Sequence, residues 1–112
     1  MPQGPMIVNY GNVASTFLLQ VSIGTPGAIT LSQTGTTTVN IPGLLTTDQI
    51  STVSKPTNQA GLIVAGGICL TNGVLTVIYA NPSVGNVTPT ANEIYTIEVN
   101  RAAFTPLVGV IQ

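Results

Sequence analysis

Apolar and polar residues alternate along most of this chain with a period of two, the repeat of a half-buried β-strand. In "FLLQVSI" Phe17, Leu19, Val21 and Ile23 share one face, with Gln20 and Ser22 opposite. "AITLSQ" places Ile29 and Leu31 against Thr30 and Ser32, and "TTTVNI" places Thr37, Val39 and Ile41 against Thr36, Thr38 and Asn40. "VLTVIYA" puts Leu75, Val77 and Tyr79 on one side, and "IYTIEV" sets Tyr95, Ile97 and Val99 opposite Ile94, Thr96 and Glu98. The runs are rich in β-branched residues, which suit a pleated surface. Turn formers separate them. Pro26 and Gly27 are placed for a tight turn, Gly35 for a short hairpin, and Asn72-Gly73 for a type I′ hairpin turn. Pro42 ends one strand and opens a longer connection over residues 42–49, where "TTDQI" reads as a plain turn or one helical turn capped by Thr47. Residues 54–61 form another connection, and Gly66-Gly67 marks a bulge or bend within a strand.

Six to eight short strands separated in this way predict an all-β fold, an antiparallel β-sandwich or a jelly-roll-like variant of it. Residues 1–16 lack the alternation and read as an extended N-terminal arm, residues 17–101 as the β-sandwich domain, and residues 102–112 as an apolar C-terminal tail. Tyr79 and Tyr95 fall on apolar faces, which predicts core packing with each hydroxyl at the edge. A small sandwich has no evident need for two irregular apolar ends. Met6, Ile7 and Tyr10 in the arm, and Phe104, Leu107 and Val108 in the tail, are therefore the candidate interface residues.

Charge changes the picture most. Asp48, Lys55, Glu93, Glu98 and Arg101 are the only charged side chains, 4% of 112 residues with a net charge of −1, against about 25% in a typical soluble domain. So little charge opposes association only weakly. Two cations cannot neutralise a run of phosphates, so no nucleic-acid partner is expected. The longest apolar run, residues 60–70, has 11 residues with three glycines, far short of the roughly 20 of a membrane span. The first residues show no signal-peptide pattern, and no membrane partner is expected. The single Cys69 reads as a buried thiol.

Candidate chemistry is sparse. With no histidine there is no triad and no ordinary general base at neutral pH. The three carboxylates and one cysteine form no zinc or calcium pattern, so neither metal nor cofactor is expected. Glu93 and Glu98, five apart on a strand, face opposite sides roughly 16 Å apart, too far for a glycosidase pair. Both read as solvated surface charges, with a weak pair between Glu98 and Arg101. Neither phosphate-binding glycine motif occurs in "AGLIVAGG". An enzyme is not expected.

One resemblance adds to this. "IPGLLTTDQI", a "KP" loop, "AGL" opening the next strand, "NGVLTVIYANP", and a "TPTA" loop leading into "YTIEV", over roughly residues 36–100, resemble small β-domains in virion proteins of tailed bacteriophages. The resemblance implies capsid decoration (cement) or head-fibre proteins, β-sandwich or jelly-roll domains that commonly act as homotrimers. It implies the major capsid protein and further copies of the chain as partners, a place on the capsid surface after synthesis in the host cytoplasm, and no catalytic residue. Asn81-Pro82 and Thr88-Pro89 take turn positions in that pattern. The absence of a coiled-coil or repeat shaft favours a compact knob on the head. The alternative expectation is a fibre, tail or vertex knob that recognises a host-surface glycan through loops 54–61 and 79–96.

Overall fold

The computed structural model describes residues 13–102. They form six antiparallel strands: β1 (Val13–Ser22), β2 (Thr34–Asn40), β3 (Gln49–Ser54), β4 (Ile63–Thr71), β5 (Val74–Ala80) and β6 (Ile94–Ala102). They build two three-stranded sheets, β1-β6-β3 and β2-β5-β4, packed as a sandwich. β5 and β6 are the central strands, and their inward residues make the core. Leu75, Val77, Tyr79, Tyr95, Ile97 and Val99 are all essentially inaccessible to water, as the period-two reading requires. The two tyrosines meet between the sheets, hydroxyl to hydroxyl at 2.9 Å. They thus satisfy each other inside the core, not at its edge as the sequence suggested. Burial and the neighbouring Tyr95 hydroxyl push the Tyr79 phenol well above its ordinary pKa.

Successive strands run in opposite directions, so the molecule has two poles. At one lie the 41–48 connection, the 72–73 turn, and the paired residues Val13 of β1 and Ala102 of β6. At the other lie the 23–33, 55–62 and 81–93 connections. β3 and β4 close one side of the sandwich, whereas β1 and β2 on the other side are not closely engaged.

Several sequence expectations are corrected. β1 begins at Val13, inside the segment read as an arm. Residues 28–33 are not a strand. Ile29 makes one isolated bridge to Val87, and the chain turns at Leu31-Ser32 with Ser32 at φ 56°. Gly35 does not turn but lies in β2, where Ile29 packs so closely that a Cβ would collide with it. The β4–β5 hairpin forms at Asn72-Gly73, but only Gly73 takes a positive φ (81°), so the turn is not type I′. In the 24–27 segment the positive φ belongs to Gly24 (72°). Residues 46–47 form a plain turn, after which Gln49–Ser54, not singled out in the sequence, is an edge strand. The bulge at Gly66-Gly67 is present, with the register shifting between Val64 and Gly66.

Gly67 has a packing reason. A Cβ there would lie 2.9 Å from Val53 Cγ2, 3.2 Å from Ile50 Cγ2 and 3.3 Å from Leu75 Cδ1. Because these contacts come from two other strands, no single shift relieves them. Gly67→Ala is expected to destabilise by about 1–3 kcal/mol, seen as a lower urea midpoint. Gly27→Ala, where a Cβ meets nothing within 4 Å, should leave the midpoint nearly unchanged.

Candidate interaction surfaces

All five charged residues lie in β3 or β6 or within one residue of their ends. Asp48 precedes β3 and pairs with Arg101 near the end of β6; Lys55 follows β3 and pairs with Glu93 just before β6. The two ion pairs therefore bracket the β3–β6 ladder at both ends. Asp48 is held firmly. Arg101 Nε donates to Oδ1 at 2.9 Å and Nη2 to Oδ2 at 2.7 Å, and the Leu45 backbone N–H donates to Oδ2 at 2.9 Å. The guanidinium also donates to Gly43 O at 2.8 Å and sits 5.2 Å from the centroid of the Phe17 ring. Lys55 Nζ lies 2.8 Å from Glu93 Oε1, which has no other partner, while Thr57 Oγ1 donates to Oε2 at 2.6 Å. Arg101 thus pairs with Asp48 and not Glu98, and Glu93 is a largely covered pair member, not a free surface charge. Both corrections have one cause: the antiparallel β3–β6 ladder brings Asp48 beside Arg101 at one end and Lys55 beside Glu93 at the other.

The hydrogen bonds from Arg101 hold the Asp48 carboxyl below its ordinary pKa against the opposing effect of burial. Lys55 and Thr57 lower that of Glu93 in the same way. A depressed folded-state pKa contributes stability above the unfolded value, about 4, and that contribution is lost as pH falls through the folded value. Asp48→Asn should therefore lower Tm at pH 7, and the difference from the wild-type chain should narrow below about pH 4.

What remains outside β3 and β6 is uncharged. The strands of the β2-β5-β4 sheet carry no ionisable group but the buried Cys69 and Tyr79. Cys69 Sγ points into the structure and donates to Thr71 O at 3.1 Å. The outward face of this sheet reads across in rows, Thr38–Thr76–Ile68 and Thr36–Ile78–Gly66. At its β4 side Ile63, Ile68 and Leu70 are 52%, 43% and 67% exposed. The outward face of the β1-β6-β3 sheet is different. Thr16, Gln20, Thr96 and Asn100 lie on it, and Ser51 Oγ donates to Glu98 Oε1 at 3.0 Å. Leu18 and Ile94 are its exposed apolar residues. The sandwich thus has one polar face carrying the unpaired charge Glu98 and one neutral face with isoleucine, leucine and threonine in the open. Sequence alternation missed it, although "IVAGGICL" carried the signal, since a strand without polar alternation has apolar residues on both faces.

A second feature lies at the pole of Val13 and Ala102. Phe17 and Leu19 of β1, Ile41 and Leu44 of the following connection, and Val99 and Arg101 of β6 line a cleft of about 240 Å³. At the opposite pole the 81–93 crossing is tied down. Asn81 is buried, donates to Ile29 O and Gly85 O, and accepts from Ser83. Asn86 accepts from Leu31 N–H, and Gln59 bonds Thr88 O and Thr90 N–H. Asn81-Pro82 and Thr88-Pro89 thus belong to a fixed connection across the sandwich end, with Pro89 fully buried. Met6, Ile7, Tyr10, Phe104, Leu107 and Val108 lie outside the described residues. Among the described residues no three His, Cys, Asp or Glu side chains gather as a metal site, and no helix is long and apolar enough to cross a membrane. Compared with known proteins, the chain matches no family model, no curated protein and no solved structure.

Proposed function

We propose that this chain is a structural virion protein, a capsid decoration (cement) protein. It binds the outer surface of a mature phage head, in contact with the major capsid protein, and stabilises that lattice as a homo-oligomer, in the first instance a trimer. The observation that carries the reading is the division of charge. Four of the five charged side chains are paired within β3–β6, and a whole sheet face is left neutral and apolar at its edge. A face without charge desolvates cheaply against another neutral surface. A ligand that binds only the assembled lattice stabilises it by mass action, with no chemistry required of it. The sequence resemblance over roughly residues 36–100 points the same way.

The glycan-binding alternative asks for free amide groups on loops 54–61 and 79–96. Asn81 and Gln59 use both ends of their amides internally and Asn86 its oxygen, which leaves the exposed Asn58 and Asn92, one on each loop, to serve it. Counting this chain in purified particles by quantitative mass spectrometry separates the two. Hundreds of copies per head are expected of a decoration protein, and a few dozen or fewer would point to a tail or vertex appendage.

A further inference from the structure

We infer that two copies of this chain join along β1, residues 16–22 of one running antiparallel to the same residues of the other about a two-fold axis at Leu19. The contact gives a place to the self-association proposed above and rests on that part of it alone. Because it joins copies in twos, it links trimers to one another and does not replace the trimer.

The two edges of the β1-β6-β3 sheet are built differently. β3 is six residues long, shifts register between Ile50 and Thr52, and is bracketed by the charges of Asp48 and Lys55. Shortness, irregularity and charge are what keep an edge from pairing. β1 is ten residues long, pairs with β6 without a shift over residues 15–22, and contains no charge, proline or glycine. Among the described residues no strand pairs with its outer edge. β2, the matching edge of the other sheet, is shorter and contains Gly35, which weakens a strand. The β1 edge also has hydrogen-bonding groups to offer. Ile23 N–H donates to Glu93 O, and backbone direction alternates along an antiparallel strand. The N–H and C=O of Phe17, Leu19 and Val21 therefore turn toward β6, and those of Thr16, Leu18, Gln20 and Ser22 turn away from it.

The occupant is a second copy because β1 is its own match. About an axis at Leu19, Leu18 meets the second copy's Gln20 and Thr16 meets its Ser22, so the outward-turned groups of the two edges face each other. The same register sets Leu19 against Leu19 and Phe17 against Val21 on the inner face. Phe17 there is 37% exposed and, with Leu19, lines the open cleft, so the added strand covers apolar surface. A two-fold contact sets each charge near its own like, which destabilises the pairing of a charged edge and costs nothing on this one. The nearest unpaired charge is Glu98, opposite Leu18 on β6. It and its copy lie roughly 14 Å or more apart across three strand spacings, beyond the roughly 10 Å screening length at ordinary salt.

Amide hydrogen exchange read by NMR on the purified chain over a concentration series tests this, with light scattering as the measure of size. The expected result is species with an even number of copies forming as concentration rises. The Leu18 and Gln20 amides should gain protection in step with them, and the Leu19 and Val21 amides should be protected throughout. Leu18→Pro and Gln20→Pro each delete an outward N–H and spare the β6 ladder, the placement in which an edge strand accepts proline. Each should weaken self-association by roughly 30-fold or more, because the two-fold loses the bond twice. Ile68→Glu, on the neutral face, should leave it unchanged. The exchange pattern of the unaltered chain decides the matter even where a proline variant does not fold. Leu18 and Gln20 amides protected in the monomer would overturn the proposal, as would amides that stay exposed while copies associate, or a chain that stays monomeric at every concentration. None of these results bears on whether the chain is found on virions, which the particle count reads separately.

Discussion

Replacing Tyr95 with alanine is expected to lower stability by about 3–5 kcal/mol, the largest effect of any substitution considered, against a total of about 5–15 kcal/mol for a domain. Tyr95 is fully buried on the central strand of its sheet and meets Tyr79 from the central strand of the other. The substitution removes a ring from between the sheets and strands the Tyr79 hydroxyl in an apolar core. The two contributions separate in a cycle of milder variants. Tyr95→Phe or Tyr79→Phe alone keeps the ring but leaves one hydroxyl unpaired, and should cost about 1–3 kcal/mol. Changing both removes the unmet hydrogen bond and should cost less than the sum of the singles. Urea unfolding midpoints read all four proteins. A strictly additive double variant would show that the hydroxyls do not depend on each other.

Ile68→Glu is expected to leave the isolated chain folded while weakening its binding in the assembly by roughly 30-fold or more, the effect of burying an unpaired charge at about 2–5 kcal/mol. Ile68 is exposed and lies in the Thr38–Thr76–Ile68 row of the neutral face. A glutamate there keeps its water in the free protein and loses it on docking. Gln20→Glu adds the same charge to an edge strand of the polar face and should leave binding near the wild-type level. Equal losses for both variants would mean that net charge, and not the face that carries it, governs association.

The alternating strands were legible because their pattern and their burial have the same period. Leu75, Val77 and Tyr79, and Tyr95, Ile97 and Val99, point inward as the sequence places them. Alternation misled where the local pattern competed with tertiary packing. Ile29 looked like a strand residue, but it packs over Gly35 and plugs the sandwich end against Val87. Gly35 looked like a turn residue, but its missing Cβ makes room for that plug. β3 escaped notice because its short run, "QISTVS", is interrupted by a register shift between Ile50 and Thr52. The low charge of the chain was plain from composition. Its placement was not, since only the fold brings Asp48 to Arg101 and Lys55 to Glu93, 53 and 38 residues apart in the chain. The neutral face follows from that placement and could not be read position by position.

The central claim is that the neutral β2-β5-β4 face is the one by which this chain joins its assembly. A map of a particle carrying the chain, fine enough to separate the two sheets, tests it most directly. The expected result is Ile63, Ile68 and Leu70 buried against the head surface, with Glu98 turned to solvent. The β1-β6-β3 face packed against the head, or the chain missing from the head altogether, would contradict it.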